Sequence, residues 1–215
     1  VSERLIGETL APYPPGLVIA TKAGLLRPGP NAWVPNGDPA HLKKACEGSL
    51  RRLKLERIEL FQFHRPDPKV PLEDSLGALV ELREQGKIEH IGVSNFTVEQ
   101  LERALRITPI VSVQNRYNLT DRSSQPVLQW CEQKGVAFIP WAPIKWDERA
   151  QARLQSIADR LGATPQQVAL AWLLRKSPVM VPIPGTGKVS HLESNVRAAA
   201  LELDDATFRA LDALA

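Results

Sequence analysis

Lys22 and His64 are the two residues of this chain best suited to proton chemistry, and each closes a short apolar run. Lys22 ends Leu17-Val-Ile-Ala-Thr-Lys22, and His64 ends Ile58-Glu-Leu-Phe-Gln-Phe-His64. A lysine at the end of an apolar strand sits near low-dielectric surroundings, where it pairs with a carboxylate or depresses the pKa of a neighbouring acid. A histidine in the same position is poised to exchange a proton near neutrality. Alone, each has a plainer reading: a solvated lysine and a hydrogen-bonded structural histidine. Their recurrence at the ends of successive runs points them into one pocket.

The following runs end in amides, hydroxyls and an aromatic ring. Ser94 and Asn95 close Ile88–Asn95, and Gln114 closes Ile110–Gln114. Side-chain amides suit a ligand that itself carries a carboxamide. Trp141 closes Val136–Trp141 and offers a flat face for a heteroaromatic ring. Last comes Ile183-Pro-Gly-Thr-Gly-Lys188, a glycine-bearing loop leading into a helix near Ser190. Backbone N–H groups and a lysine at such a helix start meet phosphate.

The elements that must position these groups alternate. Six β-type runs are separated by amphipathic helical sequence, the pattern of a parallel barrel with its active groups at the carboxyl ends of the strands. Asp38-Pro39 reads as an N-cap with proline at the first helical position. Thr97–Gln100, Thr164–Gln167 and Ser190–Glu193 each read as capping boxes. Gly86, Gly135 and Gly162 mark helix ends, and Asp204–Leu214 is expected to be a C-terminal helix. Leu25–Pro39, rich in proline and glycine, reads as an irregular excursion that shapes a substrate pocket. The regular alternation predicts one domain over residues 1–215.

Composition narrows the classes. The net charge is +3 and the basic residues are scattered without aromatic interleaving, so no nucleic-acid partner is expected. No apolar stretch is long enough to span a membrane, and no signal-peptide pattern opens the chain. Cys46 and Cys131 lie on inward faces of helices and lack metal-ligand spacing, so no metal site is expected and a cytoplasmic enzyme with two free thiols is.

The chain resembles the aldo/keto reductase family over essentially its whole length. The motifs are Ile19-Ala-Thr-Lys22, Phe61-Gln-Phe-His-Arg-Pro-Asp-Pro68, Lys87-Ile-Glu-His-Ile-Gly-Val-Ser-Asn-Phe96, Val113-Gln-Asn-Arg-Tyr-Asn118, and Ile183-Pro-Gly-Thr186 with His191-Leu-Glu-Ser-Asn195. The resemblance implies an α/β fold, a (β/α)8 TIM barrel, with six of its eight strands present here. It implies an oxidoreductase that reduces an aldehyde or ketone to an alcohol by hydride transfer from NADPH, its partner being a small-molecule carbonyl substrate. Lys22 then matches the lysine that lowers the pKa of a catalytic tyrosine, and His64 the histidine that polarises the carbonyl. Ser94, Asn95 and Gln114 match the groups that hold the nicotinamide carboxamide, and Trp141 the ring platform. Ala142, Pro143 and Ile144 would follow the pyrophosphate. Gly185, Thr186, Gly187 and Lys188 would meet the 2′-phosphate of NADP(H), with His191 and Asn195 at the adenine end.

Three departures accompany the match. The family's early aspartate and proton-donating tyrosine have no counterpart, and the chain opens at Val1-Ser-Glu-Arg-Leu-Ile-Gly, which looks like the helix after that tyrosine. The first two strands are therefore expected to lie outside this sequence, and the 215 residues alone are expected to be inactive. Tyr13 and Tyr117 are not assigned as the acid. The glycine-rich stretch usual after Ile144 is absent, and His191 stands where an arginine is frequent. A non-catalytic NADP(H)-binding subunit or redox-sensing module is the alternative reading.

Overall fold

The computed structural model describes residues 1–215, which form two compact units, Val1–Val113 and Gln114–Ala215. No helix in either is long and apolar enough to cross a membrane.

The first unit opens with α1 (Ser2–Thr9), followed by β1 (Ala20–Ala23), β2 (Leu25–Leu26), β3 (Val34–Pro35) and α2 (Pro39–Leu53). It continues through β4 (Ile58–Phe63), α3 (Leu72–Glu84), β5 (Ile88–Ser94) and α4 (Val98–Leu105) to β6 (Ser112–Gln114), which leads into the second unit. β1 pairs parallel with β4, Lys22 opposite Gln62, and β4 pairs parallel with β5, Phe63 opposite Val93. Ile58, Phe61, Phe63, Ile88, Ile91 and Val93 are all buried. Such near-continuous apolar runs are what parallel strands need when both faces are covered. Leu42, Cys46 and Leu53 of α2 and Leu76, Leu79 and Leu82 of α3 supply buried helix faces.

The caps explain where the helices start. Asp38 accepts a bond of 2.7 Å from the His41 N–H, and Pro39 follows it. At α4, Thr97 Oγ1 accepts from the Gln100 N–H while Gln100 Oε1 accepts from the Thr97 N–H, a complete capping box. Each such cap satisfies N–H groups that the first helical turn leaves unpaired.

The second unit contains α5 (Gln125–Lys134), β7 (Ala137–Phe138), α6 (Glu148–Arg160), α7 (Pro165–Lys176), α8 (Val189–Arg197), a 3₁₀ turn at Ala198–Ala200 and α9 (Asp205–Asp212). The capping box Thr164–Gln167 opens α7 as expected. Tyr117 lies at the core, stacked on Trp172 at 6.0 Å and edge-on to Phe138 at 5.8 Å. Its hydroxyl donates to the Gln125 side chain.

Several expectations need correction. The run Val179–Thr186 is not a strand: it makes one parallel bridge, Phe138 to Met180. Pro182 and Pro184 lack the N–H that a continuing ladder requires. Pro140 likewise ends β7 early, leaving only an isolated bridge between Trp141 and Arg116. The excursion Leu25–Pro39 is partly regular, because β2 and β3 pair as an antiparallel hairpin. Ser190–Glu193 makes no capping box. α8 begins at Val189 without a side-chain cap, and Thr186 Oγ1 has already taken the Lys188 N–H at 3.1 Å.

Gly92 marks the tightest packing between strands of the first unit. A Cβ there would lie 2.3 Å from Ser112 Oγ and 2.9 Å from Gln62 Cγ, whose side chains are hydrogen-bonded to each other in the interior. Gly92→Ala should destabilise the protein by about 1–3 kcal/mol through overpacking. Urea denaturation reads this directly, and an unchanged midpoint would refute the close approach.

Candidate active site

In the first unit the parallel register brings Lys22, His64, Ser94 and Asn95 to the carboxyl ends of three adjacent strands. The His64 N–H donates to the Ala23 carbonyl at 2.8 Å, continuing the β1–β4 ladder one residue beyond Phe63. Asn95 adopts a left-handed backbone with φ 59°. Its amide nitrogen donates to the His64 carbonyl at 3.1 Å and to Ser94 Oγ at 3.0 Å. Asparagine tolerates that backbone better than most residues, so its type serves both the turn and the hydrogen bonds.

The electrostatics follow from burial. Lys22 is half-buried, and desolvation lowers its pKa. Burial chiefly, then the charges of Lys22 and Arg65, push the His64 imidazole down to about 4. His64 is therefore neutral at pH 7, with one ring N–H to donate and one nitrogen to accept.

Two residues that the sequence did not single out help build this end of the unit. Asp67 accepts the Gly37 N–H at 3.0 Å, and Ser75 Oγ donates to the Gly37 carbonyl at 2.8 Å. Together they anchor the chain leaving the β2–β3 hairpin to the loop that follows His64. A third, Arg65, has a buried Nε without a hydrogen-bond partner. Tyr13 is occupied elsewhere, its hydroxyl donating to the Leu53 carbonyl at 2.6 Å.

In the second unit Gln114 is buried and Trp141 half-buried. The Trp141 N–H donates to the Asn115 carbonyl at 3.0 Å, and the Arg116 guanidinium lies 5.5 Å from the indole centroid. Ala142 has φ 56°, a left-handed backbone that costs a non-glycine residue of order 1–3 kcal/mol. Its carbonyl accepts from Asn118 Nδ2 at 3.3 Å and from the Lys145 N–H at 3.2 Å, and these bonds hold the turn. Pro143 is buried beside it.

A cavity of about 250 Å³ lies in this unit, and Ile144, Gly185, Thr186, His191 and Asn195 line it. Thr164, Gln166 and Ser194 line it too, and no sequence signal placed them there. Gly187 and Lys188 belong to the exposed loop and do not line it, nor do Trp141, Ala142 and Pro143. Asn195 Nδ2 donates to the Pro184 carbonyl at 3.4 Å, fixing the loop to α8. The lining combines hydroxyls, amides and an imidazole, next to a helix whose first N–H groups have no side-chain cap. That donor set fits the oxyanions and heteroaromatic ring of a nucleotide.

The profile of the aldo/keto reductase family matches residues 1–215. The chain belongs to the aldo/keto reductase family. It is 47% identical over 214 residues to an uncharacterized oxidoreductase of Schizosaccharomyces pombe, covering 99% of this chain and 70% of that protein. It is 38% identical over 222 residues to pyridoxine 4-dehydrogenase of Escherichia coli, covering 100% and 77% respectively. Among solved structures, a thermostable aldo-keto reductase crystallised with the inhibitor epalrestat superposes with a TM-score of 0.88 at 33% identity, covering 100% of this chain and 77% of that one. An aldo/keto reductase from Klebsiella pneumoniae in complex with NADP and acetate gives 0.81 at 26% identity, covering 99% and 75%. The fold is thus the α/β barrel type of this oxidoreductase family.

The depressed His64 pKa has two measurable consequences. Its NMR titration midpoint should fall well below 6.5, and Lys22→Met should raise it by removing one neighbouring charge. The unfolded chain binds the His64 proton more readily than the folded one, so this group favours folding above its unfolded pKa. That stability should decline as pH falls from about 6.5 toward 4. A midpoint at 6.5 would contradict both.

Proposed function

We propose that the protein reduces a small-molecule aldehyde or ketone to the alcohol, using NADPH. The observation that carries this is the pairing of a half-buried lysine with a neutral histidine at neighbouring parallel strand ends. When bound, the dinucleotide supplies a hydride to the carbonyl carbon. His64 donates its ring N–H to the carbonyl oxygen, orienting the substrate and drawing electron density from the reacting carbon. Lys22 would stabilise the negative charge that develops on the carbonyl oxygen and lower the pKa of the family's proton-donating tyrosine, which has no counterpart among residues 1–215 and which would protonate the resulting alkoxide. Tyr13 and Tyr117, whose hydroxyls are bonded elsewhere, are not assigned as that acid.

The remaining residues serve binding on this reading. Ser94, Asn95 and Gln114 hold the nicotinamide carboxamide, and Trp141 stacks on the ring. Ala142, Pro143 and Ile144 follow the pyrophosphate. Gly185, Thr186, Gly187 and Lys188 meet the 2′-phosphate, with His191 and Asn195 at the adenine. Support comes from the uncapped start of α8, the hydroxyls in the cavity and the positive charge of Lys188. The two free, buried thiols suit a cytoplasmic setting.

NADPH fluorescence titration followed by aldehyde-dependent NADPH oxidation tests the proposal. His64→Gln should lower kcat by roughly 100-fold or more while NADPH affinity stays within about twofold. Lys188→Gln should weaken NADPH by about tenfold and leave NADH binding nearly unchanged, as loss of one charge-assisted contact predicts. Absence of NADPH binding, or NADPH binding without carbonyl-dependent oxidation by a protein that also carries the family's aspartate and tyrosine, would sink the reductase reading.

A further inference from the structure

Arg65 directly follows His64, and its charge has no counterpart in the protein. Its Nε is buried without a hydrogen-bond partner, although the residue is only partly exposed. Three other arginines of the first unit are ion-paired, Arg52 to Glu3 at 2.6 Å, Arg57 to Glu89 at 3.0 Å and Arg103 to Glu73 at 2.8 Å, and what sets Arg65 apart is the buried, unpartnered Nε. The nearest acid along the chain, Asp67, spends its oxygens on the Gly37 and Lys69 N–H groups. The charges felt by His64 are those of Lys22 and Arg65, both positive. A buried guanidinium N–H left without an acceptor is costly, and the cost is larger for a charged donor.

The group that best offsets this is a planar or tetrahedral oxyanion, which the guanidinium fork engages through two parallel N–H bonds. Arg65 leaves the same strand end as His64, which on the reading above holds the substrate carbonyl. We propose that Arg65 binds an oxyanion carried by the substrate itself, so that the preferred substrates are aldehydes or ketones bearing a carboxylate or phosphate. The inference rests on the carbonyl-reductase reading. It makes Arg65 a residue that determines specificity, distinct from Lys22 and His64 in role.

The experiment compares kcat/KM for benzaldehyde with 4-carboxybenzaldehyde, and for glyceraldehyde with glyceraldehyde 3-phosphate, in the protein and in Arg65→Gln and Arg65→Lys. The anionic member of at least one pair should be preferred, and Arg65→Gln should reduce that preference by about 10–100-fold, mainly through KM. Arg65→Lys should restore part of it, since an ammonium keeps the charge but loses the fork. Which pair responds distinguishes carboxylate from phosphate. An unaltered preference in Arg65→Gln overturns the proposal, as does a loss of NADPH affinity without a change in preference, which would assign Arg65 to the cofactor. If no aldehyde is turned over at all by a protein that also carries the family's aspartate and tyrosine, the reductase reading fails separately. Calorimetric titration with benzoate and with inorganic phosphate then decides the oxyanion site: binding lost in Arg65→Gln upholds it, and binding absent or unchanged overturns it.

Discussion

One backbone hydrogen bond, from the His64 N–H to the Ala23 carbonyl, organises the candidate chemistry of the first unit. Parallel strands offer their last amides and carbonyls at the same end, and those groups must find partners there or face water. His64 uses its N–H on the strand before it, and its carbonyl accepts the amide of Asn95 on the strand after it. Three strand ends are thereby tied through the backbone of a single residue. The imidazole is left out of this bonding and can serve chemistry. A histidine held only by its side chain would lack that freedom.

The charge balance of the same region follows from its position. Strand ends beneath loops are withdrawn from bulk water but not sealed, so basic groups there are pushed toward their uncharged forms. Lys22 loses some of its tendency to hold a proton, and His64 loses most of it. In the second unit the same logic takes a backbone form. Ala142 sits in a strained left-handed conformation, and Asn118 stabilises it by accepting from the Thr120 and Asp121 N–H groups while donating to the Ala142 carbonyl.

Much of this was legible in the amino-acid sequence where local rules dominate. Thr97 and Thr164 open helices with the expected reciprocal bonds, because a cap depends on residues three apart. Lys22, His64, Ser94 and Asn95 could be placed because an apolar run points to its own end. The strand expected at Val179–Thr186 failed because its prolines outweigh its apolar pattern. Ser190 failed as a cap because the turn at Thr186 had already fixed where α8 begins. Arg65 was invisible for a different reason. The absence of a partner is a property of the packed chain, and no spacing rule reports it.

Cys46 and Cys131 are fully buried in helices α2 and α5, and desolvation lifts their thiols to about 11 and about 12. Only the thiolate is a competent nucleophile, so at neutral pH roughly one Cys46 side chain in ten thousand is reactive, and fewer still of Cys131. Aldehydes and other electrophiles trap accessible thiolates as adducts. A protein exposed to such compounds is shielded from being consumed by them when its sulfur is kept protonated and out of reach. The apolar packing of these two helices thus gives chemical durability as well as shape.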